Sequence, residues 1–349
     1  MDSIFRYLSV KTKVGMAAAV VGVIAVIMAI VGWYWSQEPE VFDVKAKAQE
    51  KAAVMGVEVV PGFVTTSTTI AIGETLLHKP GGYISNDITL PSLLMDNIVS
   101  WEYGALIQLR DFTEAMREDM SRSQSQSTEN RYLAKAEPKL KFDNSSWMFP
   151  PTESEYQDGL NYLSQYLEAL GNGGLLEKDK EKKSVSSQTR SQFYARADNL
   201  KNWLDHASKR LGSISQRLSA SVGQRIIDAD EPTAFTPSDN GQTLIAENAT
   251  PWLEIDNVFY EARGSTWAML HMMKAIEVDF EGVLQKKAAM ASLQQIIREL
   301  ENTQETLWSP VVLNGKGMGL LANHSLVMAN YVSRANAAII DLKNLLEQG

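Results

Sequence analysis

Val14 to Trp35 is a run of 22 residues without a charge, and no other feature constrains this chain as strongly. Wound as a helix at ~1.5 Å per residue it measures ~33 Å, against the ~30 Å hydrocarbon core of a bilayer. Trp33, Tyr34 and Trp35 close the run with the aromatic side chains that suit a membrane interface. A cleaved signal peptide wants a shorter apolar region and small residues at the cut, so the reading is an uncleaved transmembrane helix contacting membrane lipid over its whole length. Arg6, Lys11 and Lys13 precede it, and Glu38 and Glu40 come after it. The positive-inside bias keeps residues 1–13 as a cytoplasmic tail and puts the rest of the chain across the membrane. The span carries no charged residue and no regular Gly-x-x-x-Gly face, which argues for a tether rather than a channel or transporter core.

The body beyond the span is acidic. It carries 30 basic against 41 acidic residues, a net charge of -11, so no nucleic-acid partner is expected. The chain has no cysteine, which removes disulfides, thiolate metal sites and cysteine nucleophiles from consideration. Its stability has to come from packing.

Apolar residues recur at alternating steps of three and four through most of this body. Leu94, Ile98, Trp101, Ala105, Gln108, Phe112 and Ala115 form one such stripe, and Tyr156, Leu160, Leu163, Leu167 and Leu170 another. Further stripes run from Phe193 to Leu218, Phe259 to Val283, Met290 to Leu307 and Leu321 to Leu345. A capping-box pattern, Thr152 to Glu155, opens the second, and glycines close it at Gly171-Asn172-Gly173-Gly174. The fold class implied is all-α: a single N-terminal transmembrane helix followed by a long antiparallel helical bundle. The expected order is the tail (1–13), the span (14–35), a helical stalk (36–60), a first helical part (61–227), a connecting loop (228–252) and a C-terminal helical part (253–349) packing on the first. A polar stretch, Ser121 to Pro151, reads as a connection. A faint repeat at an offset of 160 residues pairs Asp96-Asn97-Ile98 with Asp256-Asn257-Val258, Gly104 with Gly264, and Asp119 with Asp279.

Strong catalytic motifs are absent from the sequence: there is no phosphate-binding Gly-x-x-x-x-Gly-Lys, no Gly-x-Ser-x-Gly and no His-Glu-x-x-His. No catalytic residue, cofactor or established metal site is therefore assigned. Glu74 and His78 stand four apart on one helix face and could give two metal ligands, but no third ligand is identified and an ordinary surface pair is the favoured account. Two glycine turns, each with a lysine, could present amides to an anion or a partner chain. They are Lys79-Pro80-Gly81-Gly82 and Gly315-Lys316-Gly317-Met318-Gly319. A tight helix–helix connection is the plainer account of both. His271 and His324 are candidate protonation switches, or satisfied core histidines.

The run Gly73-Glu74-Thr75-Leu76-Leu77-His78-Lys79-Pro80-Gly81-Gly82-Tyr83-Ile84-Ser85-Asn86-Asp87, with the later Ser121-Arg122-Ser123-Gln124-Ser125-Gln126-Ser127, resembles a bacterial membrane-protein family catalogued as domain of unknown function 2333. The resemblance implies a bacterial inner membrane, mainly of Gram-negative cells, and carries over no activity. The expectation is a non-enzymatic, inner-membrane-anchored scaffold or assembly factor with its body in the periplasm. Its partners would be another envelope protein or a second copy of itself. The alternative is a periplasmic ligand-binding protein or hydrolase built on the two glycine turns.

Overall fold

The computed structural model describes residues 2–122, 129–176, 190–222, 224–225, 247–309, 311–315 and 320–348, without the side chains of 2–13, 224–225 and 247–248. Among these, eleven helices carry the fold. They are α1 (Asp2–Trp35), α2 (Val44–Met55), α3 (Phe63–His78), α4 (Asp96–Ala115), α5 (Leu133–Leu140), α6 (Thr152–Gly171), α7 (Ala197–Ser219), α8 (Ile255–Asp279), α9 (Glu281–Lys286), α10 (Met290–Asn302) and α11 (His324–Glu347). Extended pairing among the described residues amounts to a two-residue antiparallel ladder, Gln224–Arg225 with Glu247–Asn248, and one bridge between Asn314 and Asn323. The chain is all-α, with one N-terminal helix long and apolar enough to cross a membrane.

The helices of the body run between two ends. At one end α1 stops, with the Trp35 ring against Gly81 and the Pro91 ring beside Gly32. It is termed the anchor end, after the apolar helix that stops there. Chain neighbours alternate in direction from there: α2 leads away and α3 returns to Lys79. At the far end the Thr65 amide donates to Asp279 (2.7 Å), the Tyr194 amide to the Met120 carbonyl (2.7 Å), and Lys201 pairs with Glu347. Helices α7 and α11 run in opposite directions along their length, tied by Lys343 to Asp205, Ser208 to Asn336 and Ser215 to Ser333.

One pair departs from the antiparallel expectation. Helices α4 and α8 both run outward from the anchor end, side by side, and cross where Gly104 meets Gly264. A Cβ on Gly104 would fall 2.0 Å from the carbonyl oxygen of Glu261, and one on Gly264 would fall 1.9 Å from that of Trp101. Both distances are impossible, so only glycine fits at either position. The contacts obey the 160-residue offset, since Glu261 is the counterpart of Trp101. The offset extends beyond the residues that first suggested it. Pro91 and Pro251 each precede a short 3-10 turn, Ser92–Leu94 and Trp252–Glu254, and each turn leads into a helix. At both helix starts the Asp carboxylate accepts the amide of the following Asn (3.1 Å). The body is thus organised about a parallel helix pair with local two-fold character. It joins the first and second helical parts through one continuous core.

Several expected boundaries shift for identifiable reasons. The expected stalk is not one helix: after a turn at Ser36, residues 37–43 are not helical, and α2 begins only where Asp43 caps it by accepting from the Lys45 and Ala46 amides (2.8 and 3.2 Å). Val44, Ala48 and Ala52 then bury one face of α2 in the body. The polar stretch 121–151 hides the two-turn helix α5, which keeps Pro138 because Leu133, Ala136 and Leu140 pack against α6. Phe193 stands in an extended approach to α7, with its ring against Gly62 and Phe280. Thr152 does not act as a cap, because its hydroxyl donates to the Asp143 and Ser146 carbonyls. Residues 123–127 of the serine run, 228–246 of the expected connecting loop, and Lys316, Gly317, Met318 and Gly319 lie outside the described residues.

Gly264→Ala is expected to lower unfolding stability by at least about 2 kcal/mol, since a methyl group must push two backbones apart. Gly282→Ala, where nothing lies within 4 Å, should be neutral or raise stability by up to about 1 kcal/mol. Urea melts of the two variants beside the parent check both.

Candidate functional site

The segment that leaves α1 is bound into the body by a match of two periodicities. Alternate residues of an extended chain are ~6.6 Å apart, and every fourth residue of a helix is ~6.0 Å apart. Glu38, Glu40 and Phe42 therefore meet Arg263, Trp267 and His271 in order along one stripe of α8. The Glu38 carboxylate pairs with the Arg263 guanidinium (2.8 Å), and Trp267 Nε1 donates to the Glu40 carbonyl (3.3 Å). The Phe42 amide donates to His271 Nε2 (3.0 Å), and the Phe42 ring stacks on the imidazole with centroids 3.9 Å apart. Trp101 from α4 packs on the other side of Trp267, so the junction continues into the α4–α8 contact.

These bonds define the state of His271. With Nε2 accepting from the Phe42 amide, Nδ1 carries the proton and donates to the Trp267 carbonyl (2.7 Å). The ring is neutral and fully buried, and burial lowers its pKa to about 4. It is a satisfied core histidine whose protonation would cost it the Phe42 bond. The sequence shows His271 among Leu270, Met272 and Met273, but nothing in it foretells that Phe42, 229 positions earlier, is its partner.

Beside the junction lies a cleft of about 270 Å³ lined chiefly by Phe259, Arg263, Trp308, His324, Met328 and Tyr331. Its walls are largely apolar. The Arg263 guanidinium at its edge is already held by Glu38 and by the Thr303 and Glu305 carbonyls (3.2 and 2.8 Å). His324 Nδ1 accepts the Leu313 amide (3.0 Å), and partial burial lowers its pKa. The cleft is suited to receive an apolar or aromatic group.

The glycine turn at Lys79 is a structural knot. Lys79 Nζ is buried 2.7 Å from the Glu102 carboxylate and also donates to the Gly82 carbonyl (2.8 Å). Glu102 further accepts the amides of Ile84 and Ser85 (each 2.9 Å) and the Ser85 hydroxyl. Burial pushes this carboxyl upward, opposed first by the Lys79 charge and then by those donors. The lysine and amides that could have met an outside anion are spent on Glu102, which no sequence motif links to them. Gly81 and Gly82 hold the left-handed backbone of the turn, and Gly81 also makes room for Trp35. In the second turn the Gly315 amide donates to the Ala322 carbonyl (2.9 Å) and its carbonyl accepts from Asn323 (2.7 Å). Both of its backbone groups are thereby used within the turn. Glu74 pairs with Lys51 (2.7 Å), and His78 Nδ1 contacts the Glu74 carbonyl rather than its carboxylate. Among the described residues, no group of three or more His, Asp or Glu side chains is placed to hold a metal.

A family model described as an uncharacterized protein conserved in bacteria (DUF2333) matches residues 9–349. The chain belongs to that family. No curated protein and no solved structure matches it. The DUF2333 match begins inside α1 and so includes the apolar helix, the junction and the whole body.

The His271 contact gives the junction a pH dependence of known sign. A histidine with its folded pKa lowered to about 4, against 6.5 unfolded, contributes stability that is fully present above pH 6.5. That contribution declines as pH falls from 6.5 toward 4, by up to about 3 kcal/mol in total. His271→Gln can still accept from the Phe42 amide but does not titrate. Urea unfolding of parent and variant at several pH values between 7 and 4 should show a shallower decline for the variant. Parallel declines would remove His271 as the group responsible.

Proposed function

We propose that this protein is a single-pass inner-membrane protein whose helical body stands in the periplasm and works by contact, as a scaffold or assembly factor of the bacterial envelope. The observation that carries the reading is the docked junction. Glu38, Glu40 and Phe42 follow α1 within seven residues and are built into the stripe Arg263, Trp267 and His271. An apolar helix destined for removal has no need to pack on the body, yet α1 lies beside Pro91 at Gly32 and its Trp35 packs against Gly81 and the core. The family match supports the same view by running through α1 and the body together. Basic residues before the span and acidic ones after it support a cytoplasmic tail.

Binding is favoured over catalysis for a chemical reason. The polar groups first suspected of serving a ligand are engaged internally, Lys79 by Glu102 and Glu74 by Lys51. The cleft beside the junction offers an apolar surface with a pre-satisfied arginine at its edge, which suits an aromatic or aliphatic anchor from another protein.

Because the chain lacks cysteine, Val54→Cys at the exposed far end supplies one thiol for topology mapping. A membrane-impermeant maleimide should label it in cells whose outer membrane alone has been opened. Labelling that requires rupture of the inner membrane would contradict the periplasmic placement. Cross-linking of the full chain in intact cells should give discrete higher-mass species. A chain that stays monomeric at every cross-linker dose would contradict the scaffold reading.

A further inference from the structure

Six large apolar side chains that the body leaves more than half exposed gather at the anchor end, whereas Val54 is exposed at the far end. Leu93 and Leu94 occupy the 3-10 turn that follows Pro91. Trp252 and Leu253 (74% and 80% exposed) occupy the equivalent turn that follows Pro251. Phe149 (91% exposed) projects from the loop whose Asn144 and Ser146 carbonyls accept from Tyr83 and Asn86, close behind Gly81 and Trp35. Trp308 (93% exposed) comes three residues after Glu305, whose carbonyl shares Arg263 with Glu38. Four separate segments thus bring bulky apolar tips to the end of the body from which α1 emerges.

The depth of this rim follows from α1. Pro91 touches α1 at Gly32, three residues before the end of the 22-residue apolar stretch, or ~4.5 Å inside it at ~1.5 Å per residue. A body that reaches Gly32 when Val14–Trp35 spans a bilayer has its Pro91 turn within the interfacial layer. The neighbouring Leu93 and Leu94 then point into a medium that is not bulk water. Tryptophan and leucine at a polar–apolar boundary are what an interfacial contact uses, and tryptophan favours that layer in particular. In water the same side chains would form an exposed apolar area of the kind that monomeric bodies rarely leave uncovered.

We infer that the anchor end of the body is a second membrane contact: the rim formed by Leu93, Leu94, Phe149, Trp252, Leu253 and Trp308 seats in the outer leaflet around α1. The occupant of this face is lipid, engaged by apolar insertion. The body's net charge of -11 opposes attraction to anionic headgroups, so zwitterionic lipid is sufficient. Seating ties the body's orientation to the membrane plane. The duplicated turns after Pro91 and Pro251 put two wedges of the same design on either side of the α4–α8 pair.

The rim rests on the reading of α1 as a bilayer span, and one preparation tests the two ideas separately. Leu94→Cys, Phe149→Cys, Leu253→Cys and the control Val54→Cys are made in the full-length chain, spin-labelled and reconstituted into phosphatidylcholine vesicles. All four positions are exposed, so folding is preserved, which thermal melts verify. Flotation with the vesicles tests the anchor. Relaxation by oxygen against a water-soluble nickel chelate then tests the rim. The three rim labels are expected to favour oxygen several-fold more than the label at position 54. A protein that floats but whose rim labels match position 54 overturns the rim and leaves the anchor standing. Rim labels shielded from both relaxants, with dipolar broadening between copies, put a second protein chain on this face and also overturn it. Failure to float overturns both ideas.

Discussion

Where α4 and α8 cross, each backbone rests on the other because Gly104 and Gly264 have no side chains, and the rest of the body takes its places from that contact. Two parallel helices this close leave no room for a filler layer, so Trp101 and Trp267 pack directly across the seam with ring centroids 5.1 Å apart. Gln108 bonds to Ser265 inside it (2.8 Å). Parallel direction has a topological consequence. The segments that enter α4 and α8 must both lie at the anchor end, and those that leave must both lie at the far end. The entering segments are the Pro91 and Pro251 turns, and the leaving ones end at Met120 and Asp279. An antiparallel pair would have separated the two proline turns to opposite ends of the body.

Buried polar groups then fasten the loops that this arrangement creates. At the anchor end, Glu102 gathers Lys79 and the amides of Ile84 and Ser85, and so pins the turn against which Trp35 rests. At the far end, Asp279 accepts from Thr65 in the first turn of α3, which has no side-chain cap of its own. Burial raises the Asp279 carboxyl, and the Thr65 bonds pull against that rise. At the junction, His271 holds Phe42. Each is one titratable residue on α4 or α8 that captures backbone amides from a distant segment. A group left unpaired at any of these positions would bear the full cost of burial, about 1–3 kcal/mol for a neutral group and more for a charge.

The helical content and the apolar N-terminal helix were legible in the sequence because they rest on local pattern. Of the stripe read from Leu94 to Ala115, Ile98, Trp101, Ala105, Gln108, Phe112 and Ala115 are buried on α4, whereas Leu94 falls in the 3-10 turn before that helix and is exposed. The stripes on α6, α7 and α10 likewise bury most of their apolar positions. The 160-residue offset was visible in Asp96-Asn97 and Asp256-Asn257, and the structure explains why glycine stands beyond each at the same distance. Pairings between distant segments could not be read. Lys79 looked available because nothing local marks Glu102 as its partner. Nothing in the stalk sequence ties it to α8, because Glu38, Glu40 and Phe42 have no shared chemistry until α8 is set beside them. Capping patterns were ambiguous for a related reason: a threonine hydroxyl, as at Thr152, bonds to whichever acceptor tertiary structure brings nearest.

The seat of Trp35 at Gly81, the junction on α8 and the two proline turns at one end therefore all depend on one packing event, the parallel crossing of α4 and α8. If that crossing organises the body, it should also be the last part to open. Hydrogen exchange of the full-length chain in vesicles, followed amide by amide, reads this directly. Amides flanking Gly104 and Gly264 are expected to exchange only through global unfolding, more slowly than any in α7 or α11. Exchange near the two glycines that is faster than in the α7–α11 pair would contradict the account.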